Sequence, residues 1–399
     1  MFKKTLAAAA ILGAFAGSAF AADVTLYGLL DYGFSYQNKS VDRGDDTNTF
    51  QMMSGQNAGS RFGLKGTEDL GNGMKVGFVL ESGINGDDGT LGFDDRIFGR
   101  QSTLFVEGAF GHVSFGRVGQ LASGAGDYAL MGSNIHPFST GWGSVGGNVA
   151  VFGGTNARFD NMVTYKTPTF AGFTLFAQYS FDNDTQTNDW GYNATTEENT
   201  KRGTEGKSSV NRYYGIGAKY KAGALEAIAV VDSINYTSHK YEGTDLKGGK
   251  TAGSYDDDAL TVTLGATYDF GVVKTYLNGQ YFDNSAKFGK VIPLSASGAT
   301  DGHFNTMEGF GVNLGADVPV FGGTAKFAVG YGEGEQSDVQ TGDKPELKVY
   351  QVAAGYVYNL SKRTYVYGAA DFVTGDFNKA AGDKDTDVTE VIFGMVHKF

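Results

Sequence analysis

The chain of 399 residues has no cysteine, only 5 prolines and a low 19% of charged side chains. Without cysteine there is no disulfide, no thiolate-held metal cluster and no thiol nucleophile. With so little proline, the 61 glycines are not collagen, which needs a Gly-X-Y period and abundant proline. Nor is there an apolar run of about 20 residues, so no transmembrane helix is expected. The net charge of −12 excludes a nucleic-acid partner, whose phosphates call for clustered Lys and Arg.

Aromatic residues are plentiful instead: 30 Phe, 22 Tyr and 2 Trp, too many for a solvated coil. The N-terminus has Lys3 and Lys4, an apolar stretch over 6–15, and then Ala19-Phe20-Ala21. Basic start, apolar middle and small-x-small site read as a signal peptide over 1–21, leaving 22–399 as one undivided unit.

Within that unit, apolar and polar residues alternate with a period of two. Val24, Leu26, Leu30, Tyr32, Phe34 and Tyr36 oppose Thr25, Asp31, Ser35 and Gln37. Phe173, Leu175, Ala177 and Tyr179 oppose Thr174, Gln178 and Ser180, and the runs at 260–269 and 310–317 repeat the scheme. Each run is about 9 to 12 residues, against about 5 to 6 for an ordinary strand. That is the length a tilted strand needs to cross a bilayer.

Short turns at 69–73, 108–111, 167–172, 221–223, 269–271, 318–323 and 359–363 alternate with long polar stretches. The long ones are 38–57, 84–95, 119–157, 183–210, 236–257, 284–306, 333–346 and 375–386. Seven turns and eight loops delimit sixteen strands, so the expected fold is all-β: a 16-stranded antiparallel transmembrane β-barrel with long external loops. In lipid every backbone N–H and C=O must be paired internally, which a sheet achieves only by closing on itself. A soluble sandwich shares the alternation but not the strand length, the turn asymmetry or the export signal. Tyr36, Tyr179, Tyr268, Tyr356, Tyr358 and Phe399, at strand ends, suit the interfacial aromatic girdles.

The segments Ala22-Asp23-Val24-Thr25-Leu26-Tyr27-Gly28, Ser60-Arg61-Phe62-Gly63-Leu64-Lys65-Gly66-Thr67-Glu68-Asp69-Leu70-Gly71-Asn72-Gly73 and Tyr358-Asn359-Leu360-Ser361-Lys362-Arg363-Thr364 resemble the general diffusion porins of Gram-negative bacteria. The resemblance is to the β-proteobacterial branch, including the Neisseria-like and Burkholderia-like porins. It implies a homotrimer in the outer membrane, among its lipids and lipopolysaccharide, with ions and small hydrophilic solutes diffusing through each subunit. The terminal Phe399 is similar to the signal read by the barrel assembly machinery. The third long loop, 119–157, would by this resemblance fold inward and narrow the pore.

Arg61 shares parity with Lys65 and Thr67, opposite Phe62 and Leu64, and therefore points into the lumen. Arg158 shares parity with Asp160, Thr164 and Lys166, with the same expectation. Arg100 lies on a less regular stretch and its direction stays open. All three resemble the basic constriction of anion-preferring porins, and a guanidinium holds its charge at any physiological pH. Asp127 is the only carboxylate in 119–157, and Asp31 and Glu81, with Glu107 less clearly placed, are lumen carboxylates that offset part of the field.

An outer-membrane barrel enzyme is the rival class. His112, His136, His239, His303 and His397 are scattered, no two at zinc-ligand spacing, and no G-x-S-x-G elbow, P-loop or dinucleotide fingerprint is present. No catalytic residue, metal or cofactor is expected. A solute-specific channel would carry a track of aromatics along the lumen; Tyr27, Tyr213, Tyr276 and Phe282 have inward parity but are isolated.

Overall fold

The computed structural model describes residues 24–42, 46–93, 95–124, 126–143, 146–155, 157–185, 192–193, 198–199, 204–208, 210–236, 258–285, 288, 306–337, 346–378 and 384–399. The leader expected over 1–21 lies outside them. The strands are β1 (Thr25–Val41), β2 (Thr47–Ser54), β3 (Arg61–Gly71), β4 (Met74–Asn85), β5 (Thr90–Leu91), β6 (Gln101–Gly108), β7 (Gly111–Gly119), β8 (Arg158–Lys166), β9 (Phe173–Ser180) and β10 (Tyr192–Asn193). There follow β11 (Glu198–Asn199), β12 (Arg212–Ala222), β13 (Leu225–Asn235), β14 (Ala259–Asp269), β15 (Lys274–Ser285), β16 (Met307–Val320), β17 (Gly323–Gln336), β18 (Glu346–Asn359), β19 (Thr364–Asn378) and β20 (Lys384–Lys398).

β5, β10 and β11 are two-residue pieces within long loops. β2 and β3 share one place in the wall. β2 pairs with β1 from Tyr32↔Ser54 to Lys39↔Thr47, and β3 pairs with it from Thr25↔Lys65 to Leu29↔Arg61. The wall thus has sixteen staves, all antiparallel to their neighbours. β20 returns to β1 over Leu29↔Lys398 to Val41↔Thr386, which closes the sheet and leaves no edge.

The burial pattern is that of a soluble protein turned inside out. Asp31, Ser35, Thr103, Thr164, Gln178, Thr263, Asn278, Asn313 and Gln351 are buried on one face. On the other, Leu26, Phe62, Leu104, Ile216, Leu264, Leu277, Leu314 and Val352 are exposed, an apolar surface that only lipid satisfies. Tyr36, Tyr268, Tyr358 and Phe399 are exposed at the ends of their staves, as a girdle requires.

Several strands outrun the stretches read as loops. β1 continues to Val41, β17 to Gln336, and β19 and β20 reach Asn378 and Lys384. Alternation of apolar and polar residues stops where lipid stops, because above it both faces meet water. Backbone pairing does not stop there, and Lys39↔Val388 still belongs to the ladder. The two helical turns among the described residues, Gly132–Asn134 and Asn148–Ala150, lie between β7 and β8.

Candidate functional site

Three arginines distant in sequence meet on the polar face around one carboxylate. Glu81 of β4 is opposite Gly63 of β3 and Gln101 of β6. Its Oε1 accepts a 2.6 Å bond from Arg100 Nε and lies 4.0 Å from Arg61 Nη1. Its Oε2 accepts from the Tyr27 hydroxyl at 3.1 Å. Arg158 Nε donates to the Arg100 carbonyl at 3.1 Å, and its guanidinium stacks over Phe93 at 4.6 Å, where Arg100 also lies at 5.9 Å. Gly59, between β2 and β3, leaves room for the Arg100 guanidinium: a Cβ there would lie 2.9 Å from Nη1. Lys65 sits next along β3 with its ammonium 5.2 Å from the Tyr27 ring.

Segment 120–157 packs against the same polar face around much of the wall. Leu121, Leu130, Met131, Ile135, Val151 and Phe152 join Tyr213, Val230, Phe282 and Val349 in one apolar cluster. Phe138 and Trp142 join Tyr367, Ala353 and Ile392 in another. Polar anchors fix the register: Asn278 Nδ2 donates to the Ile135 carbonyl at 2.6 Å, and Gly153 N to Gln280 Oε1 at 2.8 Å. Wall glycines make the approach possible. A Cβ at Gly265 would lie 2.6 Å from Ile135, one at Gly355 2.8 Å from Phe138, and one at Gly311 would overlap the Val151 carbonyl.

Asp127 Oδ2 accepts from Gln101 Nε2 at 2.7 Å, one residue along the chain from Arg100. His136 is fully buried in this segment. Its Nδ1 accepts from Phe138 N at 3.1 Å, and its Nε2 finds no partner among the described residues. Burial, reinforced by the Lys326 charge, pushes the imidazole down to about 3.

Asp31 faces the polar side but is withdrawn from it. Its carboxylate accepts from Asn57 N (2.7 Å), Ala58 N (2.8 Å) and the Tyr367 hydroxyl (2.8 Å), closing the gap between β2 and β3. Glu390 likewise is buried and accepts from Ser35 Oγ at 2.7 Å. Glu107 faces His112, Nδ1 to Oε2 3.3 Å.

The alternation around Arg158 is interrupted by a bulge. Between Gly116↔Met162 and Val118↔Phe159 the register slips by one residue, and Asn161 adopts φ +48°. This bulge brings Phe159 to the buried side with Val118 and Tyr213, next to Asp160, which is buried as well. Arg158 reaches the cluster from the first position of β8, and Asp160 belongs to a different network. It takes Arg117 Nη1 at 2.6 Å and Arg96 Nη1 at 3.0 Å, with Arg96 also bonded to Asp184. Sequence reasoning missed Arg96 and Arg117, since no local pattern links them to a carboxylate more than 40 residues away.

Known proteins agree with this architecture. A family model described as Gram-negative porin matches residues 7–378. An outer membrane porin protein of Bordetella pertussis is 33% identical, over 100% of both chains. Outer membrane porin protein 32 of Delftia acidovorans is 34% identical over 93% of this chain and 89% of its own. Among solved structures, an anion-selective porin from Comamonas acidovorans superposes with a TM-score of 0.59 at 27% identity, covering 95% of this chain and 100% of its own. A match of this extent, on a closed sixteen-stranded wall, means that the chain belongs to the Gram-negative porins, channel-forming barrels of the outer membrane and not enzymes.

Proposed function

We propose that this porin is a general diffusion channel that favours anions, with segment 120–157 folded into the lumen to narrow it beside Arg61, Arg100 and Arg158. The observation that carries this reading is the gathering of three guanidiniums beside one carboxylate, Glu81, which only two of them approach. Arg100 takes that carboxylate closely, Arg61 only at 4.0 Å, and Arg158 makes its hydrogen bond to a backbone carbonyl. The cluster keeps an excess of positive charge, and rings of Arg or Lys in a narrow aqueous passage admit anions preferentially. Asp31 and Glu390 do not cancel it, because both are buried and hydrogen-bonded. Asp127, held by Gln101, offsets part of the cluster's charge, and acidic charge in exposed loops is screened over about 8 Å. The anion-selective porin of Comamonas acidovorans, similar over most of this chain, supports the same preference.

The same reading makes residues 1–21 a cleaved signal peptide and the assembled channel a homotrimer among outer-membrane lipids and lipopolysaccharide. Phe399 is its recognition signal for barrel assembly. At the closing seam, Phe399 N donates to the Gly28 carbonyl at 3.0 Å, and Gly28 N to the Phe399 carbonyl at 3.2 Å. Reversal potentials across planar bilayers in a salt gradient test the preference. Replacing Arg61, Arg100 and Arg158 together by Gln is expected to bring the anion/cation permeability ratio to near unity. An unchanged ratio overturns the assignment.

A further inference from the structure

A second basic site lies on the same staves, at the short-turn end of the barrel. Four residues stand directly opposite one another on four adjacent strands. Lys75 (β4) faces Glu107 (β6), Glu107 faces His112 (β7), and His112 faces Lys166 (β8). Cross-strand partners point to the same side of a sheet. Here that side is the polar one, shared with the buried Ser114 and Thr164 two residues along. Together with the turn residues around them they line a cavity of about 280 Å³.

The charges in this row are unbalanced. Glu107 is engaged by His112, whose Nδ1 lies 3.3 Å from Oε2. Among the described residues, neither Lys75 nor Lys166 has an ion pair, and neither ammonium has a hydrogen-bonded partner. Two ammonium groups therefore flank one carboxylate that a histidine already occupies. The turns do not fill the space: a Cβ at Gly73 would meet nothing within 4 Å, and Gly108 and Gly111 carry no side chain into the cavity. Such a cavity suits a small oxyanion with its waters, since lysine binds phosphate-like groups as a mobile point charge.

We propose that this cavity is a binding site for a small oxyanion of the phosphate class, held by Lys75 and Lys166 with His112 between them. It is distinct from the arginine cluster, and it stands whatever the ion preference of the pore as a whole. His112 connects it to segment 120–157, because Nε2 is 2.7 Å from the Tyr128 hydroxyl. With Nδ1–H directed to Glu107, Nε2 accepts from the Tyr128 hydroxyl. Occupancy is thereby one hydrogen bond away from the segment that narrows the channel.

The test uses the purified full-length channel in a planar bilayer carrying chloride current, with inorganic phosphate added to one side at a time. Saturable reduction of the current is expected from the short-turn side, with the half-saturating concentration raised at least about tenfold in Lys75→Gln/Lys166→Gln, a loss of about 1.4 kcal/mol. Lys348→Gln, on the outer face, serves as the control with wild-type inhibition. Calorimetric titration of the detergent-solubilised protein with phosphate is expected to give a binding heat that the double variant lacks. Equal inhibition in the double variant and wild type, equal inhibition from both sides, or a reduction that never saturates overturns the proposal. If the double variant does not form a barrel, Lys75→Gln and Lys166→Gln singly carry the same expectation.

Discussion

Arg100 Nε lies 2.6 Å from Glu81 Oε1, and through this one bond a single carboxylate organises the basic side of the channel. Glu81 holds Arg100, approaches Arg61 and takes the Tyr27 hydroxyl, while Arg158 bonds to the backbone of Arg100. The acid in the middle sets both the geometry of the cluster and the size of its net charge.

Replacing Glu81 by Gln separates these two roles. The amide oxygen still accepts from Arg100, and the amide NH2 can donate to the Tyr27 hydroxyl oxygen, so the cluster keeps its shape while losing its negative charge. One unit charge at 4 Å is worth about 1 kcal/mol in water. Anion over cation permeability is therefore expected to rise by up to about fivefold, read from reversal potentials at low salt, and the gain should shrink at high salt. A fall in the ratio would mean that Glu81 acts mainly as a scaffold.

Asp160 is the tie between loops and wall. It receives Arg96 and Arg117, and its Oδ2 also accepts from Thr185 N and Oγ1 at 2.8 Å. Asp160→Ala leaves Arg117 without its carboxylate and Arg96 with Asp184 alone, and breaking a buried pair costs about 3 to 5 kcal/mol. The temperature at which the barrel loses its compact form on gel electrophoresis should fall, and proteolysis in 86–100 should speed up. Ion selectivity should change little, since Arg61, Arg100 and Glu81 keep their contacts.

These contacts also mark how far the residue pattern alone could reach. Alternation gave the orientation of Arg61 because β3 is regular from Arg61 to Gly66. At Arg158 the bulge at Asn161 interrupts the alternation, and bulges leave no apolar signature, so parity alone does not fix how that side chain reaches the cluster. Arg100 stands just before β6, outside any alternating run, and its direction is set by Glu81 on the neighbouring strand. Glu81 was legible as a lumen charge but not as the hub, since that depends on which staves adjoin. The glycines beneath segment 120–157 were visible as composition only, because their function is a clearance from residues far away in the chain.

Gly311 illustrates that clearance. A Cβ at this position would run into the Val151 carbonyl, so Gly311→Val should push Val151 and Phe152 off the wall at a cost of about 1 to 3 kcal/mol. Single-channel conductance is expected to change and its noise to increase. Gly279 is on the adjacent strand facing lipid, where the nearest atoms to a Cβ are 3.5 Å away. Gly279→Val should leave conductance as it is, and an equal effect of the two substitutions would argue against a seated segment.

His136 makes the seating of segment 120–157 dependent on pH. Its imidazole has a pKa of about 3 when buried, against about 6.5 when solvated, because burial disfavours the charged ring and Lys326 repels it. A depressed pKa means that the seated state binds fewer protons than the detached one. The stabilisation is therefore complete above about pH 6.5 and declines as the pH falls toward 3, by about 1.4 kcal/mol per unit. Conductance steps recorded between pH 7 and 4 should become noisy or shift in size as the segment loosens. His136→Phe fills the same apolar space beside Phe138 without a titrating group and should remove that dependence. If His136→Phe shows the same acid-induced change as wild type, the proton acts elsewhere, and His136 is a packing residue only.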